Sequence, residues 1–259
     1  MKERSVAVLF MFCISFMPLT PRASGSQAPG LSDLVKDYAA FFTGANPFDC
    51  APEAPGAPAD LEQAIDCALA ASRRHQPFRA APRARDVQGL LGTTEGVVYR
   101  FQIFPATSDG PLPPMFSIQR CPSPSVDDGR LVCYLPANRA DKAQRPEEYL
   151  ELVAGPDAVA CGRLGIGNRT TDVELQRSLA CAFAAGQRGQ AFVVMKQYHG
   201  FDSDVYRGLL GDRTGAIFLF EYDSGPCGNP ECFGQFDFGK CPEPAASGTG
   251  DYVKFTCQR

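Results

Sequence analysis

The feature that most restricts how this chain can fold is that it repeats itself, cysteines included. Laying Leu61 on Leu175 carries the register without a gap through Ile65 on Leu179, Cys67 on Cys181, Ala68 on Ala182, Leu69 on Phe183, Arg74 on Arg188, Gln76 on Gln190 and Phe78 on Phe192. A five-residue insertion in the second copy follows, and then Gly89-Leu90-Leu91-Gly92 falls on Gly208-Leu209-Leu210-Gly211, Gly96 on Gly215, Tyr99 on Phe218 and Phe101 on Phe220. Cys121-Pro122-Ser123-Pro124 matches Cys241-Pro242-Glu243-Pro244; Cys50 and Cys161 open the two copies, and Cys133 and Cys257 close them. Self-similarity on this scale predicts a tandem duplication of one supersecondary unit. The expected units are residues 26–140 and 141–259, joined near the polar, charge-rich stretch from Ala137 to Arg145.

The start of the chain decides how the cysteines are read. Lys2 and Arg4 precede an apolar run from Ser5 to Leu19, and small residues follow in Ala23-Ser24-Gly25. This is the pattern of a secretory signal peptide over residues 1–25, and the run is shorter than the ~20 residues a spanning helix needs. Its removal would take Cys13 with it and turn eleven cysteines into ten. An even count in an exported chain predicts disulfides. Loss of Lys2, Arg4 and Arg22 against Glu3 alone would move the formal charge from −4 to −6. That sign argues against binding a phosphate backbone. The expected location is therefore secreted or periplasmic, with no membrane insertion after cleavage and no nucleic-acid partner.

Each copy shows the same order of elements. A short helix is expected over residues 31–42 and again over 146–153, where Pro146 suits a first helical turn. The main helices start at Asp60, with Gln63 reaching back, and at Thr171, with Glu174 in that part. Leu61, Ala64, Ile65, Ala68 and Leu69 form one apolar stripe; Leu175, Leu179, Ala182 and Phe183 form the other. Period-two alternation then sends Tyr99, Phe101 and Ile103 to one side of a strand, and Phe218, Phe220 and Tyr222 likewise. The expected class is α+β: per unit, a short and a main helix packed on an antiparallel sheet of about four strands, stabilised by disulfides.

Four cysteines allow three pairings per unit. Cys67 and Cys181 lie at the edge of a helical stripe, within reach of a loop alongside, which pairs them with Cys50 and Cys161. Spacing pairs Cys121 with Cys133 and Cys241 with Cys257, as staples of terminal hairpins. Cys227 and Cys232, without counterparts in the first copy, suit a tight loop closed by its own disulfide. The recurring Gly-Leu-Leu-Gly segments point to a backbone role such as a tight turn or bulge.

Little in the chain is suited to acid–base or metal chemistry. There are two histidines, His75 and His199, at unmatched positions. His199 lies in Tyr198-His199-Gly200-Phe201-Asp202-Ser203-Asp204, a segment that reads first as a polar strand-to-strand bend. No Gly-x-Ser-x-Gly, zinc-ligand spacing or calcium-loop pattern accompanies it, so neither a metal nor a cofactor is expected. The expected function is an exported, non-catalytic binding or interaction protein, an inhibitor being one form of it, with an exported or cell-surface protein as partner. Its contact residues would come from features confined to the second unit: Tyr198, His199, Phe201, Asp202, Asp204, Tyr206 and Phe233. The competing expectation is an exported hydrolase using His199 with Asp202 or Asp204.

Overall fold

The computed structural model describes residues 31–50, 61–80, 88–104, 114–127, 130–134, 145–166, 170–225 and 234–258. The signal-peptide segment, the Ala137–Gln144 boundary, Asp60, Cys227, Cys232 and Phe233 lie outside the described residues. The protein is α+β. Its first half runs α1 (Leu31–Thr43), β1 (Phe48–Asp49), α2 (Leu61–Arg73), β2 (Phe78–Ala80), β3 (Gln88–Gly92), β4 (Val98–Phe104), β5 (Met115–Arg120), β6 (Ser123–Asp127) and β7 (Arg130–Tyr134). The second runs α3 (Pro146–Ala154), β8 (Val159–Leu164), α4 (Asp172–Gln187), β9 (Phe192–His199), β10 (Asp204–Gly211), β11 (Ile217–Asp223), β12 (Gln235–Lys240), β13 (Glu243–Ser247) and β14 (Lys254–Gln258).

In place of separate sheets of about four strands there is one sheet of ten, in the order β1-β2-β3-β4-β5-β12-β11-β10-β9-β8. The two halves meet where β5 pairs antiparallel with β12, Ser117 opposite Asp237 and Phe116 opposite Phe238. The physical reason is that two sheets, each ending on a long strand, would expose two ladders of unpaired amides, and joining them removes both edges. Only the outermost pairs, β1 with β2 and β8 with β9, are parallel.

Helices cover the sheet on both sides. Val35, Tyr38, Ala39 and Phe42 of α1 and Tyr149, Leu150 and Val153 of α3 are buried at helical spacing. They pack on Tyr99, Phe101, Phe116, Ile118, Phe218, Phe220, Tyr222, Phe236 and Phe238. Both helices lie over the seam between the halves: the Tyr38 ring is 5.2 Å from Phe116 and 5.2 Å from Phe238, while Tyr149 is 6.1 Å from Tyr99 and 5.4 Å from Phe236. The Tyr38 hydroxyl accepts from the Lys240 amide, and the Tyr149 hydroxyl donates to the Gly234 carbonyl.

On the opposite face α2 packs on Phe78, Ala80, Leu90 and Val98, and α4 on Phe192, Val194, Leu209 and Leu219. The Thr171–Glu174 capping box opens α4. Phe183, expected in its buried stripe, is 42 % exposed instead. The four cysteine pairs Cys50–Cys67, Cys121–Cys133, Cys161–Cys181 and Cys241–Cys257 are disulfides. Cys121 and Cys241 follow the last sheet strand of each half. The Cys121–Cys133 and Cys241–Cys257 bridges therefore tie the sheet to the small ribbons β6–β7 and β13–β14, which replace the terminal hairpins expected from the sequence.

The Gly-Leu-Leu-Gly segments are neither turns nor bulges. They sit inside β3 and β10, where Leu91 and Leu210 face α1 and α3 while Leu90 and Leu209 face α2 and α4. A Cβ on Gly92 would run into the Phe78 ring, and one on Gly211 into the Phe192 ring, cross-strand partners in both cases. Gly211→Ala should therefore cost about 1–3 kcal/mol by overpacking, read as a lower thermal midpoint. Adding Phe192→Leu should restore part of it, and an unchanged midpoint for the single variant would contradict the packing described.

Candidate functional site

Alternation along the strands sets the chemistry of the two faces. With the aromatic residues turned toward α1 and α3, the residues between them face the other way, and in the middle of that second face none of the described helices packs. One row of cross-strand partners there runs Gln88–Gln102–Ser117–Asp237–Glu221–Arg207–Lys196. The neighbouring row runs Leu90–Arg100–Gln119–Gln235–Asp223–Val205–Tyr198. The charges gather in the second half of the chain.

At the β9–β10 end this face deepens into a cleft of about 430 Å³. Tyr198, Arg207, Glu221 and Asp223 line it from the strands, Gly225 from the end of β11, and His199, Gly200, Phe201, Asp202 and Ser203 from the hairpin turn. The turn is closed by the Gly200 amide donating to the Ser203 carbonyl. Gly200 is required there, since a Cβ would meet the Ser203 backbone. Phe201 stands at the tip, 98 % exposed.

The cleft floor is made of side chains bonded to one another. Arg207 makes two hydrogen bonds to the Glu221 carboxylate, at 2.7 and 3.2 Å, and its guanidinium lies 5.5 Å from the Tyr198 ring centre. Lys196, fully buried, approaches the same ring at 5.2 Å and donates to the Gly165 carbonyl and to Thr170. The Tyr198 hydroxyl donates to the Val253 carbonyl. Burial pushes the Tyr198 phenol up to about 12. Burial likewise lowers the Lys196 ammonium, with Asp251 opposing it.

Two further groups on this face are desolvated. Asp237 lies between Phe236 and Phe238; burial raises its carboxyl against hydrogen bonds from Ser117 and Gln235, and the nearby Glu221 and Asp223 raise it further. Arg100 on β4 is lowered by burial, and among the described residues no carboxylate forms an ion pair with it.

Of the residues singled out in the sequence, Tyr198, His199, Phe201 and Asp202 come together in the cleft. Asp204 does not line it: its carboxylate accepts from Gln197, and its backbone exchanges hydrogen bonds with Ser224. Among the described residues no hydrogen bond or ion pair joins His199 to Asp202 or Asp204. Tyr206 is 6 % exposed on the aromatic-core face, beside Tyr222, and its hydroxyl accepts from Arg163. His75 takes a left-handed conformation, φ 53°, just after α2, with its amide bonded to the Ser72 carbonyl. No cluster of three or more metal-ligating side chains occurs among the described residues, and none of their helices is long and apolar enough to cross a membrane. Glu221, between Phe220 and Tyr222, and Asp237, between Phe236 and Phe238, had a signal in the sequence as acidic residues set between inward-facing aromatic positions, and Arg207 after Tyr206 and Asp223 after Tyr222 continue the same alternation.

Compared with protein families, curated proteins and solved structures, the chain matches none.

The raised Asp237 carboxyl sets the sign of a pH effect. The folded state holds this proton more tightly than the unfolded chain, so stability falls as pH rises from the ordinary carboxyl range through the raised folded value. Asp237→Asn should raise the thermal midpoint at pH 7, and the gain should shrink as pH is lowered into the ordinary carboxyl range. Thermal melts between pH 3 and pH 8 (about the range in which carboxyls titrate) check this, and a lower midpoint for the variant at pH 7 would contradict it.

Proposed function

We propose that this is an exported, non-catalytic binding protein, assembled from a duplicated helix-and-sheet unit, that engages an exported or cell-surface protein through the β9–β10 end of its sheet. The duplication is supported by matched register in the two halves. Phe78 lies opposite Gly92 as Phe192 lies opposite Gly211, and Leu91 opposite Tyr99 as Leu210 opposite Phe218. The Cys121 amide bonds to the Val98 carbonyl as the Cys241 amide bonds to that of Ile217. Export is supported by the leader-like first 25 residues together with the four disulfides.

The observation that carries the binding reading is Phe201. A wholly exposed aromatic ring at the tip of a closed hairpin, beside a preformed cleft, is the arrangement of an interface anchor. The Arg207–Glu221 hydrogen bonds and the contact of Arg207 with the Tyr198 ring are already made in the free protein, which lowers the ordering needed on association. Binding is favoured over hydrolysis because His199 has no carboxylate orienting it among the described residues and Asp204 is engaged away from the cleft. Inhibition of an exported enzyme is one form this activity takes.

Phe201→Ala should leave the thermal midpoint of the free protein unchanged. It should also weaken capture of the cognate partner from the exported fraction by about 30-fold, the effect of losing a hot spot worth ~2 kcal/mol. His199→Ala should leave that capture within about threefold, the effect of a change of only ~0.6 kcal/mol. Equal capture by Phe201→Ala and the parent would overturn the anchor, and turnover abolished by His199→Ala would replace binding with hydrolysis.

A further inference from the structure

We infer that the cleft at the β9–β10 turn is a socket for an arginine side chain of the partner protein, its guanidinium lying on the Phe201 ring and donating to the carboxylates of Asp202 and Asp223. This deepens the binding reading above and rests on it, because it names what the cleft receives.

Charge complementarity carries the assignment. The charged side chains lining the cleft are Asp202, Arg207, Glu221 and Asp223, with His199 beside them. Arg207 and Glu221 engage each other through two hydrogen bonds. Asp202 and Asp223 form no ion pair among the described residues, so the cleft holds two carboxylates without a counter-charge. Both acids stand at Gly225. Asp223 accepts from the Gly225 amide, and a Cβ on Gly225 would lie 3.3 Å from the Ser203 side chain and 3.8 Å from the Asp202 carbonyl oxygen. The cleft is open to solvent, since the Arg207 and Glu221 side chains on its floor keep 51 % and 40 % exposure.

Arginine is selected by chemistry that the cleft already displays. Arg207 lies over the Tyr198 ring while it donates to the Glu221 carboxylate. The exposed Phe201 ring, with Asp202 and Asp223 lining the same cleft, offers a second ring and second carboxylates of that kind. A planar guanidinium can stack on a ring while its edge donates to carboxylates, which an ammonium cannot do. The volume, about 430 Å³, lies toward the lower end of the ~300–1,000 Å³ typical of ligand sites, which suits one long side chain.

The fold does not need these charges. In the aligned first copy Arg207 falls on Gln88, Glu221 on Gln102 and Asp223 on Phe104, and Gln88 faces Gln102 in the register in which Arg207 faces Glu221. The same strand pair is thus built without charge, and the acids belong to the copy that carries the Phe201 turn. The formal charge of −4 on the whole chain adds long-range attraction for a basic partner.

The test uses the full chain, isotope-labelled for NMR, with N-acetyl-arginine amide as probe and the uncharged isostere N-acetyl-citrulline amide as control. The expected result is saturable amide shifts centred on the β9–β10 turn and the end of β11 with the arginine probe, and none with the citrulline probe. Phe201→Ala and an Asp202→Asn, Asp223→Asn double variant should each raise the dissociation constant at least fivefold, a loss of ~1 kcal/mol. Asparagine at 223 still offers an oxygen to the Gly225 amide, so the melting midpoint should stay at the parent's. Asp37→Asn removes one charge on α1, on the opposite face of the sheet, and should change the constant by less than about twofold, ~0.4 kcal/mol. In the exported fraction the double variant should lose capture of the partner in step with the probe. Equal shifts from the two probes, or equal affinity in the double variant and the parent, would overturn the socket. If Phe201→Ala weakens capture while the double variant captures like the parent, the socket alone fails. If the parent binds neither the probe nor any exported partner, the binding reading fails with it.

Discussion

The pairing of β5 with β12 is the interaction on which the rest of the molecule depends. It turns two runs of strands into one ten-stranded sheet, and it places Phe116, Ile118, Phe236 and Phe238 side by side under α1 and α3. Tyr38 and Tyr149 each touch aromatic rings from both halves of the chain, so neither half buries its core alone. What remains as edge is short: β1 has two residues, and β8 is interrupted by a register shift at Cys161. Short and irregular edges are how sheet proteins avoid pairing with one another.

The same seam determines where a site can be. Strand alternation commits the aromatic residues to one face, and the other must be covered by α2, α4 and the two ribbons. Those elements are tethered at the flanks, the helices by Cys50–Cys67 and Cys161–Cys181 and the ribbons by Cys121–Cys133 and Cys241–Cys257. The centre is left to polar side chains. Its hydrogen bonds include those of the Arg207–Glu221 pair, and the turn between β9 and β10 raises Phe201 beside them. Hydrogen-bonded polar rows and the exposed ring of Phe201 thus share one side of the sheet.

Local features are legible in the sequence, and long-range ones are not. The helices, the Thr171–Glu174 cap and the four disulfides follow from capping chemistry, periodicity and spacing, all of which act over a few residues. The ribbon strands β6 and β13 are hidden because Pro124 and Pro244 lie within them, residues that edge strands tolerate and central strands do not. The seam is hidden for a different reason: alternation tells which face Phe236 and Phe238 occupy and says nothing of which strand lies beside them. Residue type alone marks Tyr206 as a contact residue, although its distance of two from Gly208 and four from Leu210 puts it on the core face. Asp237 between two phenylalanines is the clearest sign of the polar face that the sequence contains.

The most direct test of the shared sheet is the NMR detection of backbone contacts across the seam in the intact protein. Interstrand nuclear Overhauser effects linking the Ser117–Asp237 and Phe116–Phe238 pairs, together with slow amide exchange on the facing edges of β5 and β12, are the expected result. Rapid exchange along those edges with no such contacts would mean that the halves carry separate sheets, and neither a common aromatic core nor a continuous polar face could then exist.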